Sequence, residues 1–319
     1  MPLTQLNFQP GLDTENTPTG AEGRWVDGDK IRFRKGLPQK IGGWTKFSTG
    51  YYIGVGRALE QWFSLDGGRY EAIGTDRKIY TYASGISQDI TPIRSTDALV
   101  NAISTTTSSN IVTITDAGHG ASQGDFVTLS NVSATVGGLT ASVLDAEYEI
   151  LTISNTNAYT VQSSGTANAN VAPTANCTAM YQISTGPSVQ TFGYGWGSGT
   201  WGNSTWGTQR STSNVILDAR LWSINNWGED LIITQRDGST YEWDTSLGMS
   251  NNRAEVIANA PTNSTLSMIS TETRHVVCLG TETAIGNTAS VDKMFIRWSD
   301  QENYNQWTPN VTNSAGSQR

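Results

Sequence analysis

The feature that most constrains this chain is a hairpin pattern that recurs at wide spacing. Tyr70 to Tyr82 reads as an apolar strand, a tight turn and an aromatic strand. The pattern returns from Asp230 to Trp243, and more loosely from His275–Gly280 to Met294–Trp298, with a longer tip between. A lone hairpin cannot bury both of its faces, so such copies must pack side by side. That is the packing logic of a β-propeller. The expected fold is all-β, with propeller-like blades, an inserted small all-β module and an extended N-terminal arm.

Composition supports a turn-rich β chain. Of 319 residues, 33 are Gly and only 15% are charged. Gly and Asn accept the positive φ that tight hairpins need. Eleven Trp supply large apolar areas, so few residues are needed to anchor many short strands. The net charge of −8 argues against ordinary sequence-specific DNA binding, which relies on clustered Lys and Arg. It is compatible with a surface past which DNA slides without sticking. Cys177 and Cys278 form no CxxC pair and have no His nearby in sequence, which argues against a disulfide scaffold or a thiolate zinc site. There is no apolar run of membrane-spanning length, and no apolar core follows Met1, so neither membrane insertion nor a signal peptide is expected. Folding in a reducing cytoplasm is expected.

Along the chain, residues 1–50 read as an N-terminal docking arm. Asp27-Gly28 is a hairpin signal, with Trp25 before it and alternating Ile31 and Phe33 after it. Arg24, Lys30, Arg32, Arg34 and Lys35 cluster here, with Lys40 and Lys46 following. The cluster fits docking on an acidic or phosphate partner. It fits equally a sheet edge whose charges prevent edge pairing. Residues 51–95 read as the first blade, with Gly54 to Ser64 as its inner strand. Composition then shifts, and no Lys or Arg occurs between Arg94 and Arg210. Alternating segments at Asn110–Thr115, Asp125–Ser130, Glu147–Ile153 and Ala158–Gln162 mark the inserted module, residues 96–180. Residues 181–319 carry further blades, ending in a polar sequence that reads as irregular. Three blades are recognisable, or four with the segment around Phe192, few for a ring that usually closes with about four to eight; either the N-terminal segment closes the ring or the remaining blades are missing from this chain.

The stretch from Phe192 to Thr208 repeats Trp-Gly, with Trp196, Trp201 and Trp206 five apart. Five is odd, so one straight strand would send successive Trp side chains to opposite faces. These residues read as aromatic anchors pinning a loop, or as a subunit contact. The alternative is an aromatic platform for sugar.

No catalytic constellation and no metal site emerges. His119 and His275 are far apart in sequence and read as structural. No GxSxG, HExxH, P-loop or dinucleotide fingerprint occurs. Asp125, Asp145, Glu147 and Glu149 read as a solvated face. Ser64 to Tyr70 faintly resembles the Asp-box turn of sialidase-like propellers. It lacks that motif's final Thr-Trp and does not recur.

Several multi-residue segments resemble short-tailed bacteriophage tail proteins. They are Pro10-Gly-Leu12, Gly23-Arg-Trp25, Lys30 to Arg34, Gly36 to Trp44, Ile73 to Tyr80, Asp89 to Pro92, the Trp-Gly repeat and Arg297 to Pro309. The resemblance is to the tail nozzle, or tail tubular, family of podoviruses. It implies a non-enzymatic virion structural protein without cofactors, assembled in the host cytoplasm and located in the virion tail. It also implies identical subunits in a ring, a hexamer by resemblance, below the portal or adaptor protein and above distal tail, needle or fibre proteins. Genomic DNA would pass through the ring without tight binding. A carbohydrate-binding propeller of a phage tail or cell surface is the second expectation, and an enzyme the third.

Overall fold

The computed structural model describes residues 8–43, 45, 50–65, 67–186, 219–250 and 252–319. The chain divides into two compact units, 1–47 and 48–319. Almost all of its regular structure is β.

The first unit holds two small sheets. β1 (Gln9–Leu12) pairs in parallel with β2 (Arg24–Trp25), and β3 (Ile31–Arg34) pairs antiparallel with β4 (Leu37–Lys40). The Asp27-Gly28 hairpin expected from the sequence does not form. The turn is instead Lys35-Gly36, where both residues have positive φ, 52° and 81°. That pair of conformations matches the twist of a two-residue hairpin. The Asp27 carboxylate turns in on the Gly28 N–H at 2.7 Å, which uses the local signal without pairing strands.

The second unit contains three four-stranded antiparallel meanders among its described residues. Blade 1 is β5 (Gly56–Phe63), β6 (Arg69–Thr75), β7 (Ile79–Ala83) and β8 (Ile86–Asp89). The module follows as β9 (Ile93–Leu99), β10 (Ile103–Thr105), β11 (Ile111–Thr115), β12 (Phe126–Ser130), β13 (Glu147–Asn155), β14 (Ala158–Gln162), β15 (Val171–Thr174) and β16 (Cys177–Gln182). Blade 2 is β17 (Trp222–Trp227), β18 (Asp230–Gln235), β19 (Thr240–Trp243) and β20 (Glu255–Val256). Blade 3 is β21 (Leu266–Ile269), β22 (Val276–Leu279), β23 (Ile296–Trp298) and β24 (Gly316–Gln318). The polar C-terminal stretch is therefore not irregular throughout. Its last residues complete the third sheet, with Arg297 opposite Ser317.

The blades stack through their faces, with β17 packed beside β5 on one side and beside β21 on the other. Strand alternation sends successive side chains to opposite faces. Trp222, Ile224, Leu231, Ile233, Tyr241 and Trp243 of blade 2 share a core with Trp62, Ala72 and Ile79 of blade 1. The other face of blade 2 gives Trp227 and Ile232 to a second core with Val276, Cys278 and Trp307. Indole N–H groups pin the first interface from both sides. Trp222 Nε1 donates to Thr75 O at 2.6 Å, and Trp62 Nε1 donates to Glu229 O at 2.8 Å. Gly74 is required here by space. A Cβ at that position would lie 2.6 Å from the Trp222 ring.

The module is an eight-stranded sheet in the order β15-β10-β11-β14-β13-β12-β16-β9. Its alternating apolar residues gather into a core of their own, among them Ile103, Val112, Ile114, Leu129, Ile150 and Tyr159. The strands that enter and leave it are paired, with Met180 directly opposite Thr96.

Candidate functional site

Where blade 1, the module and blade 2 meet, four charged side chains interlock. Lys78 follows the β6–β7 turn and is almost wholly buried. Its Nζ lies 2.8 Å from Asp89 Oδ2 and 2.5 Å from Glu147 Oε2. Arg253 Nη1 reaches Asp89 Oδ1 at 3.1 Å, and Nη2 lies 4.0 Å from Glu147 Oε1. Gln182 Nε2 donates to both carboxylates. The Lys78 ammonium also sits 4.3 Å from the centre of the Phe126 ring, a cation–π contact. Two cations balance two carboxylates, and the hydrogen bonds supply what a buried charge requires.

Burial pushes the Asp89 carboxyl up, but the charges of Lys78 and Arg253 and the hydrogen bonds from Lys78 and Thr91 outweigh it. The carboxyl is held below the usual range. Asp89 is thereby fixed as an anion whose valences are taken up by partners, which suits a structural lock.

A second pairing lies beside the first. Arg77 Nη2 is 2.5 Å from Glu149 Oε1 and donates to Gly124 O at 3.1 Å. Asp145, Glu147 and Glu149 lie on the exposed face expected for the module's acids, but the two glutamates are paired there and Asp125 is buried. Glu147 and Glu149 are clamped by cations of blades 1 and 2. Asp125 is buried with its Oδ2 accepting from Ser122 N–H, and Asp145 Oδ1 accepts from Val132 N–H. The alternation was read from the module's own sequence, whereas the partners Lys78, Arg77 and Arg253 lie in other elements.

The basic residues of the first unit are placed differently. On β3, Arg32 and Arg34 alternate with the partly buried Ile31 and Phe33, so both guanidinium groups face outward. Arg32 Nε donates to Gln39 Oε1 across the hairpin. Lys30 and Lys35 hold turn conformations at φ 55° and 52°. Arg24 pairs with Asp13 at 3.6 Å. Four of the five singled-out cations thus sit on one hairpin or its flank, and Arg24 lies on the neighbouring sheet. Trp196, Trp201 and Trp206 lie outside the described residues.

Other chemistry is spoken for. His119 Nδ1 accepts from Ala121 N–H and its Nε2 meets Asn155 O, both at 3.1 Å, which fits a neutral ring holding a loop. His275 Nδ1 lies 2.8 Å from Ser299 O. Burial pushes the Cys177 and Cys278 thiols up to about 11, away from thiolate chemistry. A shallow groove of about 460 Å³ on the module is lined by Val143, Tyr148, Glu149, Leu151, Gln162 and Ser163. The Tyr148 hydroxyl there donates to Val143 O at 2.6 Å. No group of three or more His, Cys, Asp or Glu among the described residues is placed to hold a metal ion. No helix among them is long and apolar enough to cross a membrane.

No family model matches the chain. No curated protein matches it either. Among solved structures, a phage phi92 endosialidase chain is similar at 12% identity with a TM-score of 0.25. The likeness covers 82% of this chain and 38% of that one, and it is too slight to carry an argument about fold or activity.

Sequence reasoning missed the Lys78 lock. A Lys at a hairpin tip is ordinarily a solvated cation. Its burial here depends on Glu147, 69 residues away, and on Phe126 above it.

Proposed function

We propose that this chain is a virion structural protein: a tail nozzle subunit that forms a ring below the portal or adaptor and conducts DNA during ejection. One observation carries the reading. Three of the eight segments that resemble the nozzle family fall among the described residues of the second unit, and these coincide with pieces that hold the blades in place. Ile73 to Tyr80 is the β6–β7 hairpin, with Gly74 against Trp222 and Lys78 in the charge lock. Asp89 to Pro92 supplies two further members of that lock, Asp89 and Thr91. Arg297 to Pro309 runs from β23 to the fully buried Trp307 between blades 2 and 3. Framework residues that carry part of the resemblance fit a wall-forming protein.

Charge placement supports the same reading. Acidic residues number 28 against 20 basic. Lys78 and Arg297 are buried inside the second unit, where they cannot hold phosphate. The outward cations of β3 fit a protein partner, where oppositely charged patches steer docking. The acidic balance disfavours the long row of phosphate contacts that tight DNA binding needs. A gel-shift titration of the purified chain with duplex DNA at moderate salt tests the conduit reading. Weak binding with a shallow salt slope is expected. Tight binding that falls steeply with salt would overturn it.

A further inference from the structure

The chain holds three Asp-Gly pairs, Asp27-Gly28, Asp66-Gly67 and Asp237-Gly238. Such a pair has an intrinsic reaction open to it. The glycine nitrogen attacks the carboxyl of the preceding side chain, and the glycine has no Cβ to hinder the approach. The fold treats the three nitrogens differently.

In two pairs the nitrogen is tied into a turn. Gly67 N–H donates to Ser64 O at 2.9 Å, and Gly238 N–H donates to Gln235 O at 2.9 Å. Ring closure there has to give up that bond and unwind the turn. Asp237 is held from further sides. Its carboxylate pairs with Lys293 and accepts from Thr265 Oγ1 at 3.4 Å. Its own N–H donates to Ser264 O at 2.7 Å, and Gly238 O accepts from Ser264 N–H at 3.0 Å. Asp66 itself lies outside the described residues.

Gly28 is different. Its N–H donates to Asp27 Oδ1 at 2.7 Å, so the carboxyl is already turned onto the nitrogen that would attack it. Reacting groups held in contact react faster than free ones. Both residues lie in the connection between β2 and β3, outside either ladder, and both are exposed to water.

We infer that Asp27 is a site of isoaspartate formation, selected by the fold from three chemically equal pairs. The Gly28 nitrogen bonds to Cγ of the protonated Asp27 carboxyl. The nitrogen loses its proton and Cγ its hydroxyl, which leave together as water, and a cyclic imide remains. Water then adds to one of the two imide carbonyls. Cleavage of the new C–N bond restores aspartate. Cleavage of the original peptide bond leaves the chain running through Cγ, with a free α-carboxylate. Water is the only co-reactant, and the mass returns to its starting value. The isomer lengthens the main chain by one carbon. A Cβ at Gly28 would lie 2.5 Å from Ile31 Cδ1, so the site abuts the first residue of β3. The change therefore falls at the entry to the strand that presents Arg32 and Arg34. The inference rests on the loop geometry and does not depend on the tail reading.

The test ages the full-length protein in warm, mildly acidic buffer, below its unfolding transition. Peptides are then separated, weighed and offered to a protein isoaspartate methyltransferase with its methyl donor. The Asp27 peptide should split into two species of equal mass, one of which accepts methyl. Its isomer should accumulate several-fold faster than those of the Asp66 and Asp237 peptides. Asp27→Glu, which requires a larger and slower-closing ring, should bring methylation at this peptide to background. In urea the three rates should converge, because the selection comes from the fold. Equal rates at the three sites in the folded protein would overturn the inference. So would an unchanged Asp27 peptide, or a lead of Asp27 that persists undiminished in urea.

Discussion

Replacing Lys78 with Met keeps the aliphatic stem over Phe126 and deletes the ammonium between Asp89 and Glu147. Removing one partner of a buried ion pair costs about 3–5 kcal/mol, because the other charge is left uncompensated. Two features place this case at the lower end. Asp89 keeps Arg253 at 3.1 Å and the Thr91 N–H at 2.8 Å. The Glu147 side chain is 31% exposed and rehydrates in part. The expected loss is about 3 kcal/mol, read from urea unfolding followed by Trp fluorescence. Lys293→Met supplies the control. Lys293 pairs with Asp237 on the surface, its side chain 60% exposed, and such pairs contribute about 0–1 kcal/mol. The slope of the transition should stay the same in both variants. A Lys78→Met loss no larger than that of Lys293→Met would show that the cluster is not a lock, and the role given to it would fail.

The lowered carboxyl of Asp89 contributes stability that is complete above the ordinary carboxylate value, about 3.9, and is lost as pH falls through its lower folded value. Stability measured against pH should therefore drop in that acid window, and less so in Lys78→Met. Burial first, with the Asp89 and Glu147 charges adding, pushes the Tyr80 phenol up to about 12 from 10.0, so its contribution is present below 10 and lost as pH rises toward 12; Tyr80→Phe should flatten stability over that range. Gly74→Ala should cost about 1–3 kcal/mol by overpacking against Trp222, measured by thermal or urea unfolding, and a neutral result would mean the ring moves freely. Excising the module between Thr96 and Met180 and joining the ends with a short Gly-Ser link should leave soluble blades with a cooperative transition, because the two residues are ladder partners; loss of soluble protein would contradict this.

The blade hairpins were legible because they are local. Asp230–Gln235 and Thr240–Trp243 are strongly apolar strands, and Asp237 takes φ 54° at the turn between them, a conformation that Asp accepts readily. The fourth strands were not legible. β20 is two exposed residues, Glu255 and Val256, and β24 is Gly-Ser-Gln, so neither carries an apolar alternation. They are strands because a neighbour presents an unpaired edge. β16 was hidden for a related reason, since its partners β9 and β12 come from distant parts of the module. In the first unit the alternation of Arg32 and Arg34 was readable, but the turn position was not. Two turn signals compete there, and pairing from Ile31 to Lys40 selects Lys35-Gly36. The charge lock could not be read at all, because its members lie on four separate segments and only folding brings them together.

The central proposal is that this chain builds the wall of a DNA conduit in a phage tail. Electron cryomicroscopy of phage virions, the proposed source, tests this most directly. A ring of identical copies should lie below the portal or adaptor, with the three blades and the eight-stranded module fitting its density and the β3–β4 hairpin meeting protein rather than DNA. Finding the chain only in peripheral fibres, or absent from the purified virion, would contradict it.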